Sequence, residues 1–161
     1  MNLRQVRKKI KSISNVKKIT KAMQMVSAVK MKKAQAAALD GAPYREGLEE
    51  IIKKVAGNID RTISPLLQPS KKASNKHLVI FVSSNKGLCG AFHLNINRFL
   101  IRNTDFKNSD YITVGKKGAQ FTSRMGGQVI AEYSSLTPAS EVGAVFDLAL
   151  SKFLDGTYTD V

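Results

Sequence analysis

Residues 83 to 90 read Ser83-Ser84-Asn85-Lys86-Gly87-Leu88-Cys89-Gly90, a glycine-containing turn between an apolar run and a helical pattern. Turns at such strand-to-helix junctions hold phosphates when their glycines let the backbone close around the anion. A dinucleotide loop requires G-x-G-x-x-G and a P-loop requires G-x-x-x-x-G-K-[ST]. Here Gly87 and Gly90 stand three apart and Lys86 precedes both. The turn is therefore expected to be structural, with Gly87, Leu88, Cys89 and Gly90 letting the next helix approach the sheet. Cys89 is the single cysteine, so no internal disulfide or cysteine-only metal site can form. A thiol near a helix N-terminus can be activated, but no His or acid adjoins this one, and a small buried residue in a tight turn is expected. His77 and His93 fall in separate elements without metal-ligand spacing and read as packing residues. Glu132 and Glu141 form no acid–base motif and read as surface charges. The sequence offers no catalytic set, no metal site and no cofactor site.

Charge is the stronger signal. The first 39 residues hold eleven Lys and Arg and no Asp or Glu, out of a net charge of +14 for the 161-residue chain. These eleven are Arg4, Arg7, Lys8, Lys9, Lys11, Lys17, Lys18, Lys21, Lys30, Lys32 and Lys33. Nucleic acid would be attracted to such a rod, but it carries no interleaved aromatics, and the rest of the chain has no helix-turn-helix pattern. A basic nucleic-acid-binding α/β protein remains the alternative reading. Binding to a membrane surface calls for one clean apolar face bearing Trp or Phe, and the rod has neither. No apolar run approaches the roughly 18 to 20 residues of a membrane span, so direct insertion is not expected. An acidic protein partner with apolar collars fits both the charge and the apolar pattern.

The element that carries these residues reads as one long helix. No Gly or Pro occurs from Asn2 to Leu39, and good helix formers dominate. At 100° per residue, Leu3, Val6, Ile10 and Ile13 share an arc about 80° wide, and Val16, Ile19, Met23 and Val26 share another roughly 140° further round. Continuing the first register places Lys17, Thr20, Gln24 and Ser27 on its seam, so such a helix is supercoiled with another or gripped from more than one side. Asp40, Gly41 and Pro43 predict a kink or short break, after which Tyr44, Leu48, Ile51, Ile52 and Val55 resume the pattern.

Residues 58–76, with Pro65 and Pro69, read as a linker. After it, His77 to Ser83 is a buried-type strand, and Phe92, Ile96, Phe99 and Leu100 follow at helical spacing. Tyr111 to Val114 and Gln128 to Tyr133 read as further strands, with a short helix over Lys116 to Met125 between them. A last helix has Thr137 as N-cap and Pro138 in its first turn. Tyr158 to Val161 look like the approach to a fourth strand. The organisation predicted is α/β: a long N-terminal coiled-coil-type helix (1–57), a linker (58–76) and an incomplete Rossmann-like domain with a parallel sheet (77–161).

Two stretches carry a family resemblance. Arg4-Gln5-Val6-Arg7-Lys8-Lys9-Ile10-Lys11-Ser12-Ile13, followed by Lys17-Lys18-Ile19-Thr20-Lys21-Ala22-Met23-Gln24-Met25-Val26-Ser27-Ala28, resembles the N-terminal helix of the ATP synthase gamma subunit. Ser83 to Phe92, with its Gly87-Leu88-Cys89-Gly90 tetrad, is similar to that family's first strand-turn-helix. The resemblance implies a non-catalytic central shaft of an F-type ATP synthase, rotating within a ring of alternating alpha and beta subunits and coupling proton flow to ATP synthesis. It further implies that Lys17 to Met23, with Lys30, Lys32 and Lys33, face acidic loops of the beta subunits, and that the epsilon subunit and the membrane c-ring are further partners. The family's second long helix has no counterpart here, so the chain reads as an N-terminal portion. The absence of an organelle presequence before the motif suggests a bacterial source and a peripheral place on the cytoplasmic side of the inner membrane. Alone, such a chain is expected to expose its seam and to be poorly stable or self-associating.

Overall fold

The computed structural model describes residues 2–68, 75–134 and 138–161, and the chain divides into two compact units, 1–59 and 60–161. The first unit is a single helix, α1 (Leu3–Ala56), 54 residues long and thus about 80 Å from end to end. Asn2 caps it, its side chain accepting from the Arg4 N–H at 3.4 Å. Lys53 and Lys54 sit in the last turn, where the helix dipole favours cations. None of its residues is buried.

The expected break at Gly41 to Pro43 does not occur; α1 runs through it with Pro43 inside. Proline removes its own N–H from the ladder and crowds the carbonyl four residues back, and the stretch is exposed enough for water to satisfy that carbonyl. The dozens of propagated hydrogen bonds on either side outweigh that local loss.

The second unit opens with two 3-10 turns, Arg61–Ile63 and Pro65–Leu67, where the sequence suggests only linker. Asp60 and Ser64 cap them, accepting from the N–H groups of Thr62 and Leu66. Pro69 of the expected linker lies outside the described residues. The sheet holds β1 (His77–Val82), β2 (Ser109–Val114) and β3 (Gln128–Tyr133), all parallel and in the order β1-β2-β3. Helix α2 (Phe92–Asn103) joins β1 to β2, and α3 (Lys116–Arg124) joins β2 to β3. The last helix, α4 (Val142–Leu154), is preceded by a 3-10 turn at Pro138–Glu141, so Pro138 stands before it and not in its first turn. The expected N-cap, Thr137, lies outside the described residues.

The α/β class read from the sequence is what the structure shows, and the layering explains it. One face of the sheet packs Leu78, Ile112 and Tyr158 against Val145 and Ala149 of α4, and the other packs Phe81 and Tyr111 against Leu100 of α2 and Phe121 of α3. Helices on both faces of a parallel sheet define a doubly wound unit. Central β2 is accordingly buried along nearly its whole length. At the outer edge of β1, Asp160 bridges His77 in parallel fashion; the Thr159 N–H donates to the Lys76 carbonyl and the Leu78 N–H to the Asp160 carbonyl. The residues read as the approach to a fourth strand thus lie beside β1, on the side away from β2.

A buried polar knot fixes that segment. The Tyr158 hydroxyl donates to Asp110 Oδ2 at 2.9 Å, and Lys76 Nζ approaches the same oxygen at 3.3 Å. Burial, with the hydrogen bond to Asp110 and its charge, pushes Tyr158 up to about 12, and burial does the same to Tyr111. A raised tyrosine value leaves stability intact below about pH 10 and removes it as pH climbs toward about 12. Alkaline denaturation followed by circular dichroism should therefore show a loss in that window, reduced in the Tyr111→Phe, Tyr158→Phe double variant. At neutral pH, Tyr158→Phe should cost about 2 kcal/mol in urea unfolding, because Asp110 loses its buried donor.

Candidate functional site

Every contact residue predicted on α1 is exposed: Lys17, Lys18, Lys21, Met23, Lys30, Lys32 and Lys33. Helix geometry sorts them onto two faces. Lys17, Lys18, Lys21 and Lys32 fall within an arc of about 100°, whereas Met23, Lys30 and Lys33 fall within about 80° on the other side. Met23 therefore does not sit among the first lysines but in the apolar arc with Val16, Ile19 and Val26. From Lys17 to Lys33 the patch runs about 24 Å along the axis.

The electrostatics of this patch are one-sided. The ion pairs on α1 all lie near its C-terminal end: Arg45–Glu49 at 3.8 Å, Lys53–Glu49 at 3.9 Å and Lys54–Glu50 at 3.9 Å. Among the described residues, none of the eleven bases before Leu39 has a carboxylate partner. Like charges on neighbouring turns repel, and this helix offers them nothing of opposite sign for three dozen residues. What the arrangement can do chemically is attract an acidic surface and slide over it, since lysine heads on flexible stems make no fixed bidentate bond.

The turn after β1 has a different role. The Ser83 hydroxyl accepts from the Gly118 N–H at 2.7 Å and donates to the Gly115 carbonyl at 3.1 Å. Asn85 Oδ1 accepts from the Lys116 N–H at 3.0 Å, and the Ser84 carbonyl accepts from the Lys117 N–H at 3.1 Å. The first three N–H groups of α3 are thereby all used, so no donor at that terminus remains for a phosphate. Asn85 Nδ2 also donates to the Ser134 carbonyl at 3.2 Å, tying the ends of β1 and β3 together. The sequence did not single out Ser83 or Asn85 as clamps. The signal was the strand order, because adjacent parallel strands bring the residues after β1 over the start of α3.

His93 Nε2 lies 3.1 Å from the Ser84 hydroxyl, a spacing that invites a nucleophile–base reading. The Ser84 proton is already committed to the Lys86 carbonyl at 2.5 Å. Nε2 must then carry a hydrogen toward Ser84, and a donor cannot act as its base. His77 is half exposed at the edge of β1, with Nδ1 2.7 Å from Asp160 Oδ1, and is an edge clamp more than a packing residue.

Cys89 corrects an expectation: it is exposed and free, not buried. The stretch from Gly87 to Ala91 is all exposed, with Leu88 fully so at φ +63° and Gly90 at φ +60°. Leu88 and Gly90, on either side of Cys89, both stand in the left-handed region, which glycine tolerates and leucine rarely adopts. Among the described residues no three of His, Cys, Asp or Glu are placed to hold a metal ion, and no helix is long and apolar enough to cross a membrane. A cavity of about 1210 Å³ opens along the outer edge of β1, walled largely by Leu78, Ile80, Phe146, Leu150 and Phe153.

These features describe an α/β protein bearing a long exposed basic helix, and comparison with known proteins places it further. A family described as ATP synthase matches residues 2–161. The chain is 37% identical over 154 residues to the ATP synthase gamma chain of Akkermansia muciniphila, covering 94% of this chain and 52% of that relative. It is 38% identical over 142 residues to the gamma chain of Chloroherpeton thalassium, covering 83% and 46%. With the gamma chain of Clostridium perfringens it shares 33% over 164 residues, covering 99% and 57%. The chain belongs to the ATP synthase gamma-chain family and spans about half the length of the curated relatives it matches.

The exposed turn gives a direct check. In native buffer a maleimide should label Cys89 to completion in minutes, at the rate of an unfolded control; labelling that waits for denaturant would contradict the geometry. Gly118→Ala should destabilise the α/β unit by about 1 to 3 kcal/mol in urea unfolding, although alanine is the better helix former. Its Cβ would stand 2.7 Å from Ser83 Oγ and 2.9 Å from Phe81 Cδ1.

Proposed function

We propose that this chain is the N-terminal portion of a central-stalk gamma subunit of a bacterial F-type ATP synthase. It is non-catalytic, and its turning inside the ring of alternating alpha and beta subunits couples proton translocation to ATP synthesis. The observation that supports this most is α1 itself: 54 residues, none buried, with eleven bases lacking a carboxylate and apolar stripes on more than one face. A helix of that kind calls for acidic and apolar surroundings on several sides, which a ring supplies and a flat partner does not.

In this reading residues 1–57 are the shaft, 58–76 connect it, and 77–161 form the α/β domain, with the epsilon subunit and the c-ring as further partners. Lys17, Lys18, Lys21, Lys30, Lys32 and Lys33 meet acidic loops of the beta subunits, and Met23 provides a deformable apolar contact on the opposite arc. Division of the patch between two faces suits simultaneous contact with different subunits of the ring. The Gly87 to Gly90 turn is structural, and the subunit sits peripherally on the cytoplasmic side of the inner membrane.

The test is direct association. The chain should bind the alpha–beta hexamer in low salt, and replacing Lys17, Lys18 and Lys21 together by Gln should weaken binding roughly tenfold or more and reduce its salt dependence. In the assembled enzyme, Met23→Lys should lower ATP-driven proton pumping several-fold while nucleotide binding stays unchanged. Strong salt-dependent retention on DNA with no affinity for the hexamer would favour a nucleic-acid-binding protein instead.

A further inference from the structure

We infer that, free of other subunits, two copies of this chain pair through α1 in an antiparallel coiled coil that sets Leu3 of one copy opposite Val55 of the other. The inference stands on α1 alone and does not rest on the functional reading above. Alternating steps of three and four residues from Leu3 reach Ile13, and the same register carried along the whole helix lands on Leu48, Ile52 and Val55. In a straight helix these end stripes drift apart by roughly 20° per heptad, and a left-handed supercoil removes the drift. The seam is thus apolar at both ends of α1 and, Met31 excepted, polar or small between them.

Antiparallel pairing uses that layout. With Leu3 opposite Val55, Val6 meets Ile52 and Ile10 meets Leu48, and the symmetry repeats these layers at the other end. The polar seam residues then face small ones: Lys17 meets Gly41, Thr20 meets Ala38 and Gln24 meets Ala34. Gly41 has open space around its missing Cβ, so the lysine stem can cross there and put its head in water. The bulky layers of this stretch are the central one, where Ser27 meets Met31, and Ile13 opposite Arg45, whose guanidinium already reaches Glu49.

Charge selects the orientation. A parallel pair would lay eleven bases alongside eleven bases, whereas the antiparallel pair brings Arg4 to Lys11 of one copy over Glu46, Glu49 and Glu50 of the other. Flanking the seam, Arg7 of one copy stands near Glu49 of its partner, and the symmetry makes this contact twice. Leu3, Ile10, Leu48 and Ile52 are all exposed in the single chain, so the apolar area is there to be covered.

Sedimentation equilibrium of the full chain should show a reversible dimer. Arg7→Glu or Glu49→Arg alone should weaken it roughly tenfold, and the two together should restore most of the loss. In a Cys89→Ser background, oxidation should join a Leu3→Cys chain to a Val55→Cys chain, and Leu3→Cys chains should not join to each other. A monomer at all concentrations, a dimer indifferent to both charge reversals, or disulfides between two Leu3→Cys chains would overturn the inference. Failure here leaves hexamer binding untouched, so the two claims are decided separately.

Discussion

The repulsion of eleven like charges along one helix, with no acid within reach, governs how this chain can exist. A helix in water draws modest stability from its own hydrogen bonds, and most of what holds helices in proteins is the burial of an apolar face. In α1 that burial is absent, while Leu3, Ile10, Val16, Ile19 and Met23 all stand more than half exposed. The element therefore carries two unmet requirements, neutralisation and desolvation, and both are met by neighbours that are acidic and apolar. The proposed association with other subunits and the proposed pairing with a second copy are two answers to the same deficit.

The α/β unit shows the opposite condition. Its core lies on both faces of β2, and several of its polar groups satisfy one another: Ser83, Ser84 and Asn85 cap α3, and Tyr158 and Lys76 share Asp110. A strand-turn-helix junction of phosphate-binding type has here become a clamp between neighbouring β–α turns. The N–H groups it satisfies are those at the start of α3, whose acceptors come from the chain itself, whereas α2, the helix that follows the turn, has no side-chain cap.

What could be read from the sequence followed from periodicity and turn chemistry. The run HLVIFV and the stretch Gln128 to Tyr133 became β1 and β3, and the helical spacing after Phe92 became α2. What could not be read depended on partners far along the chain. β2 starts at Ser109, two residues earlier than its apolar run suggests, where Ser109 and Asp110 pair with His77 and Leu78 of β1 and the Asp110 carboxylate meets Tyr158, 48 residues on. Exposure of Cys89 follows from the backbone angles of Leu88 and Gly90, on which composition is silent. Continuity of α1 through Pro43 reflects the cooperativity of a very long helix, which a local breaker rule does not weigh. The number and spacing of the candidate contact residues are legible along the chain, and helix geometry divides them into two faces.

The most direct measurement is amide hydrogen exchange along residues 3–56, made at a concentration too low for self-association, with and without the alpha–beta hexamer. Alone, α1 should exchange far faster than β2, since nothing is packed over it. With the hexamer, α1 should gain strong protection while β2 changes little. Protection of α1 that is already high in the isolated chain, or that the hexamer leaves unaltered, would contradict the account.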